Sequence, residues 1–193
     1  MVVHKSNTGL SKLIYFDCYS GISGDMALGA LLDAGVKFED LKELLACMKL
    51  DGYSFEAELV RRGGLAGTRA IVRIDDKTQS ARHLTDILEL IESSDLPSLV
   101  KENSSAIFNC LAEAEAAVHG ISVNRVHFHE VGAVDAVVDI VGTASALYLL
   151  RVDKIICSPL PAGRGEVQCA HGKLPLPAPA TLELLAKRQV PIK

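Results

Sequence analysis

Between Val131 and Leu150 the chain reads VGAVDAVVDIVGTASALYLL, a stretch whose only charges are Asp135 and Asp139. So apolar a segment belongs either in a bilayer or in the core of a globule. On an insertion scale two central aspartates cost about 5–7 kcal/mol, while nine Val, Ile and Leu residues return roughly 3–5 kcal/mol. Insertion loses. The spacing therefore predicts a buried helix in a soluble core, with no membrane partner, and the other elements must be arranged around it.

Hydrophobic residues make up 49% of the 193-residue chain and charged ones 23%, enough apolar surface for one good-sized domain. Residues 1–12 are polar and expected to be a flexible N-terminus. LIYFD (13–17) is predicted as a strand, closed by the turn residues of CYSGISG. A helix follows, with Asp25 as N-cap and Gly35 just beyond its end. Leu41, Leu44, Leu45 and Met48 recur at helical spacing over 38–50. Residues 53–75 alternate on both sides of Gly63-Gly64 and read as a β-hairpin or a bulged pair. Helices are predicted over 82–93 and 97–119, the second opened by Pro97 and stopped by Gly120. RVHFH (125–129) is expected to be extended, KIICS (154–158) a strand, GEVQCAH a short alternating piece, and 179–188 a last helix. The fold class is α/β: a mixed sheet with flanking helices, including one nearly apolar buried helix and one β-hairpin, in a single domain over 13–193.

A net charge of −4 and an aromatic content of 5% argue against a nucleic-acid partner. Five cysteines form no C-x-x-C pair and nothing reads as a signal peptide, so reduced thiols in a cytoplasm are expected.

Four constellations carry chemistry. In HFHEVGAVD, His127 and His129 project from one face if the segment is extended, and Glu130 follows at a helix start. The alternative is one ligand and one structural histidine. Asp135 and Asp139 lie four apart on a helix otherwise built for burial, where paired carboxylates need a cation or donors. Pairing with Arg69 or Arg73 is the competing arrangement. Cys169 and His171 again have strand spacing, and a Cys/His set favours nickel, copper or zinc over magnesium. In DCYSGISGDM a strand runs through a Ser/Gly loop into a helix, offering Ser20, Gly21, Ser23 and Gly24 to an anion, flanked by Asp17 and Asp25. It is neither a Walker A nor a dinucleotide motif, and a plain capped turn is the alternative. Arg164, between two glycines, could reach a phosphate or carboxylate.

Three blocks, DCYSGISGDMALGALLDAG, VHFHEVGAVDAVVDIVG and CAHGKLPLPAPATLELL, resemble the LarC family, the nickel-insertion proteins of lactate racemase maturation. The likeness covers about residues 13–193. It implies a chelatase that places nickel into a pyridinium-3,5-bisthiocarboxylic acid mononucleotide to form the nickel pincer cofactor of lactate racemase. It also implies use of CTP with a divalent metal, through a C-terminal half that this sequence does not include. The chain is then expected to be the N-terminal portion of a larger protein, with the C-terminal half and lactate racemase as partners and a homo-oligomer as its state. Two other classes remain open from the residues alone. One is a metal-dependent phosphohydrolase using the His/Asp cluster to activate water; the other is a non-catalytic assembly module.

Overall fold

The computed structural model describes residues 2–4, 12–75, 82–128, 134–169 and 172–193. The elements run β1 (Val2–His4), β2 (Leu13–Phe16), α1 (Gly24–Asp33), α2 (Phe38–Ala46), β3 (Tyr53–Arg62), β4 (Leu65–Ile74), β5 (Arg82–His83), α3 (Leu84–Glu92) and α4 (Ser98–His119). After a 3-10 turn at Val123–Arg125 come β6 (His127–Phe128), α5 (Val134–Leu149), β7 (Lys154–Cys157), β8 (Glu166–Cys169), β9 (Gly172–Pro175) and α6 (Pro179–Lys187).

The α/β reading holds, and the sheet is mixed as predicted. In it β2 is flanked by β1 on one side, antiparallel, and by β7 on the other, parallel. β1 adds this edge within the segment read as a loose N-terminus. Among the described residues the remaining strands form separate two-stranded pairs, so the strands are spread over small sheets. A second hairpin, β8–β9, joins the one anticipated.

Helix α5 is the buried helix that the apolar stretch requires. Val134, Val137, Val138 and Val141 are fully buried on it, each worth on the order of 1.5 kcal/mol or more. It packs against α1, α2 and α4. No helix among the described residues is long and apolar enough to cross a membrane.

The β3–β4 hairpin pairs Tyr53 with Ile74 through to Arg62 with Leu65, without a bulge. Gly63 and Gly64 have φ of 56° and 83°, the two positive values that a type I′ turn demands. Helix α1 ends as its sequence predicts. Val36 N–H bonds Leu31 C=O and Gly35 N–H bonds Leu32 C=O, a Schellman closure with Gly35 at φ 109°.

The start of α1 differs from expectation. Ser23, not Asp25, is the N-cap; Asp25 lies in the first turn, where its carboxylate accepts from Met26 N–H at 2.8 Å and from Ser23 Oγ. An acidic side chain suits the first turn as well as the cap, because the helix dipole favours it in both places. Arg125 belongs to the 3-10 turn, so the extended segment begins after it. Helix α2 stops at Ala46, four residues short of the predicted end, and Lys49 turns left-handed at φ 54°.

Helix α1 is tied to β4 of the hairpin at two points. Thr68 donates its N–H and its hydroxyl to the Asp33 carboxylate, at 3.0 and 2.6 Å. One turn earlier, a Cβ on Gly29 would lie 2.3 Å from the Thr68 carbonyl oxygen. Ala in place of Gly in a helix interior normally gains about 1 kcal/mol. Here the collision is with backbone and overpacking costs about 1–3 kcal/mol or more. Gly29→Ala is therefore expected to destabilise the chain despite its better helix propensity, read as a lower urea midpoint; an unchanged or raised midpoint would show that α1 can move off β4.

Candidate metal and substrate site

The loop from Asp17 to Ser23 leaves the carboxyl end of β2 and delivers the chain to α1. Gly21 N–H closes a turn onto Cys18 C=O at 3.2 Å, with Gly21 at φ 95°. Ser20 and Ser23 are exposed, as are Asp17 and Asp25. At the start of α1, Gly24 faces α5. A Cβ placed there would lie 2.3 Å from an oxygen of Asp139 and 2.5 Å from its Cβ. Two of the constellations read separately in the sequence therefore meet. The glycine's missing side chain is the space that Asp139 occupies.

Asp139 is half-buried, and its Oδ1 is buried without a hydrogen-bond partner among the described residues. Burial raises its pKa to about 6, helped by the charges of Asp25 and Asp135. Asp135 is exposed in the first turn of α5, where its carboxylate accepts from Ala136 N–H at 2.8 Å. The arginines that could have neutralised this pair are engaged elsewhere. Arg69 lies 3.5 Å from Glu58 and Arg73 lies 3.1 Å from Glu56, both across the hairpin. The mouth between α1 and α5 is thus an acidic trio with one unpartnered oxygen, an environment that favours a proton or a cation.

His127 lies on β6, exposed, while its neighbour Phe128 is buried against Phe108, the alternation an extended segment imposes. Directly across the β5–β6 pair stands His83, its ring centroid 3.6 Å from that of His127. Sequence reasoning placed His83 inside a helix and missed this pair. The signal was present in Asp86: His83 N–H donates to its carboxylate at 2.9 Å, the reach-back contact of a helix start. That contact ends the extended segment at His83 and begins α3 at Leu84.

Of the other predicted ligands, His129, Glu130 and His171 lie outside the described residues, and only the backbone of Cys169, at the end of β8, is described. Arg164 is exposed in the loop between β7 and β8. Among the described residues no three His, Cys, Asp or Glu side chains group closely enough to hold one metal ion. What the fold does bring together is a set of partial sites, namely the acidic trio and the imidazole pair.

The protonation of Asp139 sets a pH dependence whose sign is fixed. Its folded pKa lies above the ordinary carboxyl value of 3.8, so between that value and about 6 the folded chain holds a proton that the unfolded chain has lost. Stability falls as pH rises through this window and stays low above it. Asp139→Asn should therefore be more stable than the parent at neutral pH, with the advantage shrinking to nothing as the pH falls toward 4. Urea melts across pH check this; a destabilised variant at neutral pH would mean that Asp139 has a cationic partner in the fold.

Comparison with known proteins follows the same lines. The family described as nickel insertion protein matches residues 14–193. A putative nickel insertion protein of Roseiflexus castenholzii is 55% identical over 183 residues, covering 95% of this chain and 46% of its own length. One from Citrifermentans bemidjiense is 52% identical over 174 residues, covering 90% and 45%. The pyridinium-3,5-bisthiocarboxylic acid mononucleotide nickel insertion protein of Geobacillus kaustophilus is 48% identical over 183 residues, covering 90% and 44%. The chain thus spans about half the length of the curated relatives it matches. No solved structure gives a significant match.

Proposed function

The chain belongs to the nickel insertion protein family, and on that premise we propose that it forms the metal- and substrate-handling portion of a nickel chelatase. The reaction is insertion of nickel(II) into pyridinium-3,5-bisthiocarboxylic acid mononucleotide, the substrate that the name of the Geobacillus kaustophilus relative states. The product is the nickel pincer cofactor of lactate racemase.

The observation that carries this reading on the chain's own atoms is the unpartnered, half-buried carboxylate of Asp139. A chelatase must take a cation and then give it up. A carboxylate whose pKa is raised to about 6 holds a cation by displacing a proton and releases it when the proton returns. Asp25 and Asp135 add charge that draws a cation to the mouth; His83 and His127 add borderline-soft nitrogen donors. His129, Glu130, Cys169 and His171 complete the proposed ligand set. The mononucleotide phosphate falls to the exposed Ser20–Ser23 loop and to Arg164, with Asp17 at the loop entrance. CTP with its divalent metal is assigned to the additional length of the relatives. Delivery to lactate racemase, a homo-oligomeric state and a cytoplasmic setting belong to the same proposal.

Calorimetric titration of the chelator-stripped chain with nickel(II) tests it. Asp139→Asn and the double change His83→Ala with His127→Ala should each weaken nickel binding about tenfold or more while the chain stays folded. Parental affinity in both variants would remove the reading. Release of inorganic phosphate from a generic phosphoester by the nickel-loaded chain would replace it with hydrolysis.

A further inference from the structure

The end of the β2–β7 sheet holds a feature that the acidic trio and the imidazole pair leave unused. Cys18 follows β2 and Cys157 ends β7, and their sulfurs stand 3.5 Å apart as free thiols. The register that pairs Phe16 with Cys157 brings them together, and Ser158 holds them there by accepting the Cys18 N–H on its Oγ at 2.9 Å. We propose that Cys18 and Cys157 form a two-thiolate site for a thiophilic divalent cation, with nickel(II) as its first candidate.

As thiols the two sulfurs stand at hydrogen-bond distance, one S–H donating to the other, and the same spacing can be compared with what a disulfide or a bound ion requires. A disulfide bond is about 2.05 Å long, so oxidation would require the sulfurs to close by about 1.5 Å. Two thiolates on one tetrahedral ion at about 2.3 Å per bond stand about 3.8 Å apart. On a square-planar ion they stand about 3.2 Å apart. The observed spacing falls between the two metal geometries and already fits either within a few tenths of an ångström. Cys157 is exposed and gives an ion its approach, while Cys18 is buried. The location is also where open α/β sheets bind ligands, outside the carboxyl ends of adjacent parallel strands. The Ser/Gly loop begins at this same point, since Cys18 accepts the Gly21 N–H that closes its first turn.

The surroundings of the pair set what an ion must overcome. Burial raises the Cys18 pKa to about 11, with the Cys157 sulfur and the Asp17 carboxylate adding to the rise and the Lys193 ammonium opposing it. Two bare thiolates are therefore disfavoured, and a divalent charge removes that penalty. Binding displaces one proton from each sulfur to solvent, and positions not filled by protein are filled by water or an incoming sulfur ligand. The choice of nickel(II) rests on the function proposed above, whereas the thiol pair itself rests on the β2–β7 register.

The test uses nickel(II) chloride and the whole chain carrying Cys169→Ser, so that sulfur from the other proposed ligand set contributes nothing. Titration should produce a near-ultraviolet sulfur-to-nickel charge-transfer band that saturates at about one nickel per chain. Cys157→Ser, at an exposed position that leaves the melting temperature in place, should abolish the band and weaken the nickel binding that it reports about tenfold or more. Cys47→Ser should leave both unchanged. A band that survives Cys157→Ser, or nickel binding without any such band, overturns the assignment. So does conversion of the pair to a disulfide, seen as loss of two hydrogens by mass, in a chain that gives no band.

Discussion

Helix α1 can lie where it does only because two of its residues lack a side chain. Gly29 lets its backbone rest on the Thr68 carbonyl of β4, and Gly24 leaves the room into which Asp139 projects from α5. These contacts fix the hairpin to one side of α1 and an acidic side chain to the other. Moving α1 outward by an ångström would relieve the carboxylate but would lift β4 from its support. The Asp33 bonds to Thr68 oppose that movement, and so does the packing of Leu28 on Gly142 of α5. A half-buried unpaired oxygen is a local cost carried by the surrounding packing, and such costs concentrate where a protein binds something.

The elements written in local chemistry were legible in the sequence. The Gly63-Gly64 turn, the Gly35 and Gly120 stops and the valine face of α5 depend on residues a few positions apart, and each stands in the structure as read. Pairings between distant segments were not legible. β2 meets β7 across most of the chain, and nothing near either strand names its partner. The same holds for Cys18 and Cys157, separated by 139 positions, which no spacing rule could have joined. His83 failed for a different reason. Helical periodicity over 82–93 absorbed it, although Asp86 marked the boundary one residue later. The meeting of Gly24 with Asp139 lay between these extremes, since both residues were singled out but their contact required the packing of α1 on α5.

Charge pairing explains why the carboxylates stay unneutralised. Arg69 faces Glu58 directly across the hairpin and Arg73 reaches Glu56 diagonally across it, where the partners are exposed and each pair is worth about 1 kcal/mol or less. So small a gain would not hold an arginine against a buried carboxylate if the backbone allowed it to choose. The arginines stay because β3–β4 register aims them along the hairpin face. Topology, not affinity, leaves Asp139 without a cation of its own among the described residues.

The three groupings share a property that suits transfer better than storage. Among the described residues the carboxylates, the imidazole pair and the thiol pair each offer fewer than the four closed ligands that make a structural metal site permanent. A site closed by protein alone would bind its ion too tightly to give it away, because every protein–metal bond must break before the substrate can form its own. A site with open positions lets the substrate's sulfurs coordinate first and the protein donors leave one at a time. Such an exchange also needs donors of graded softness. The ion can then move from oxygen and nitrogen toward sulfur, the direction in which affinity rises for nickel and in which a bisthiocarboxylate product would finally hold it. On the proposed function, incompleteness at each grouping is what permits release.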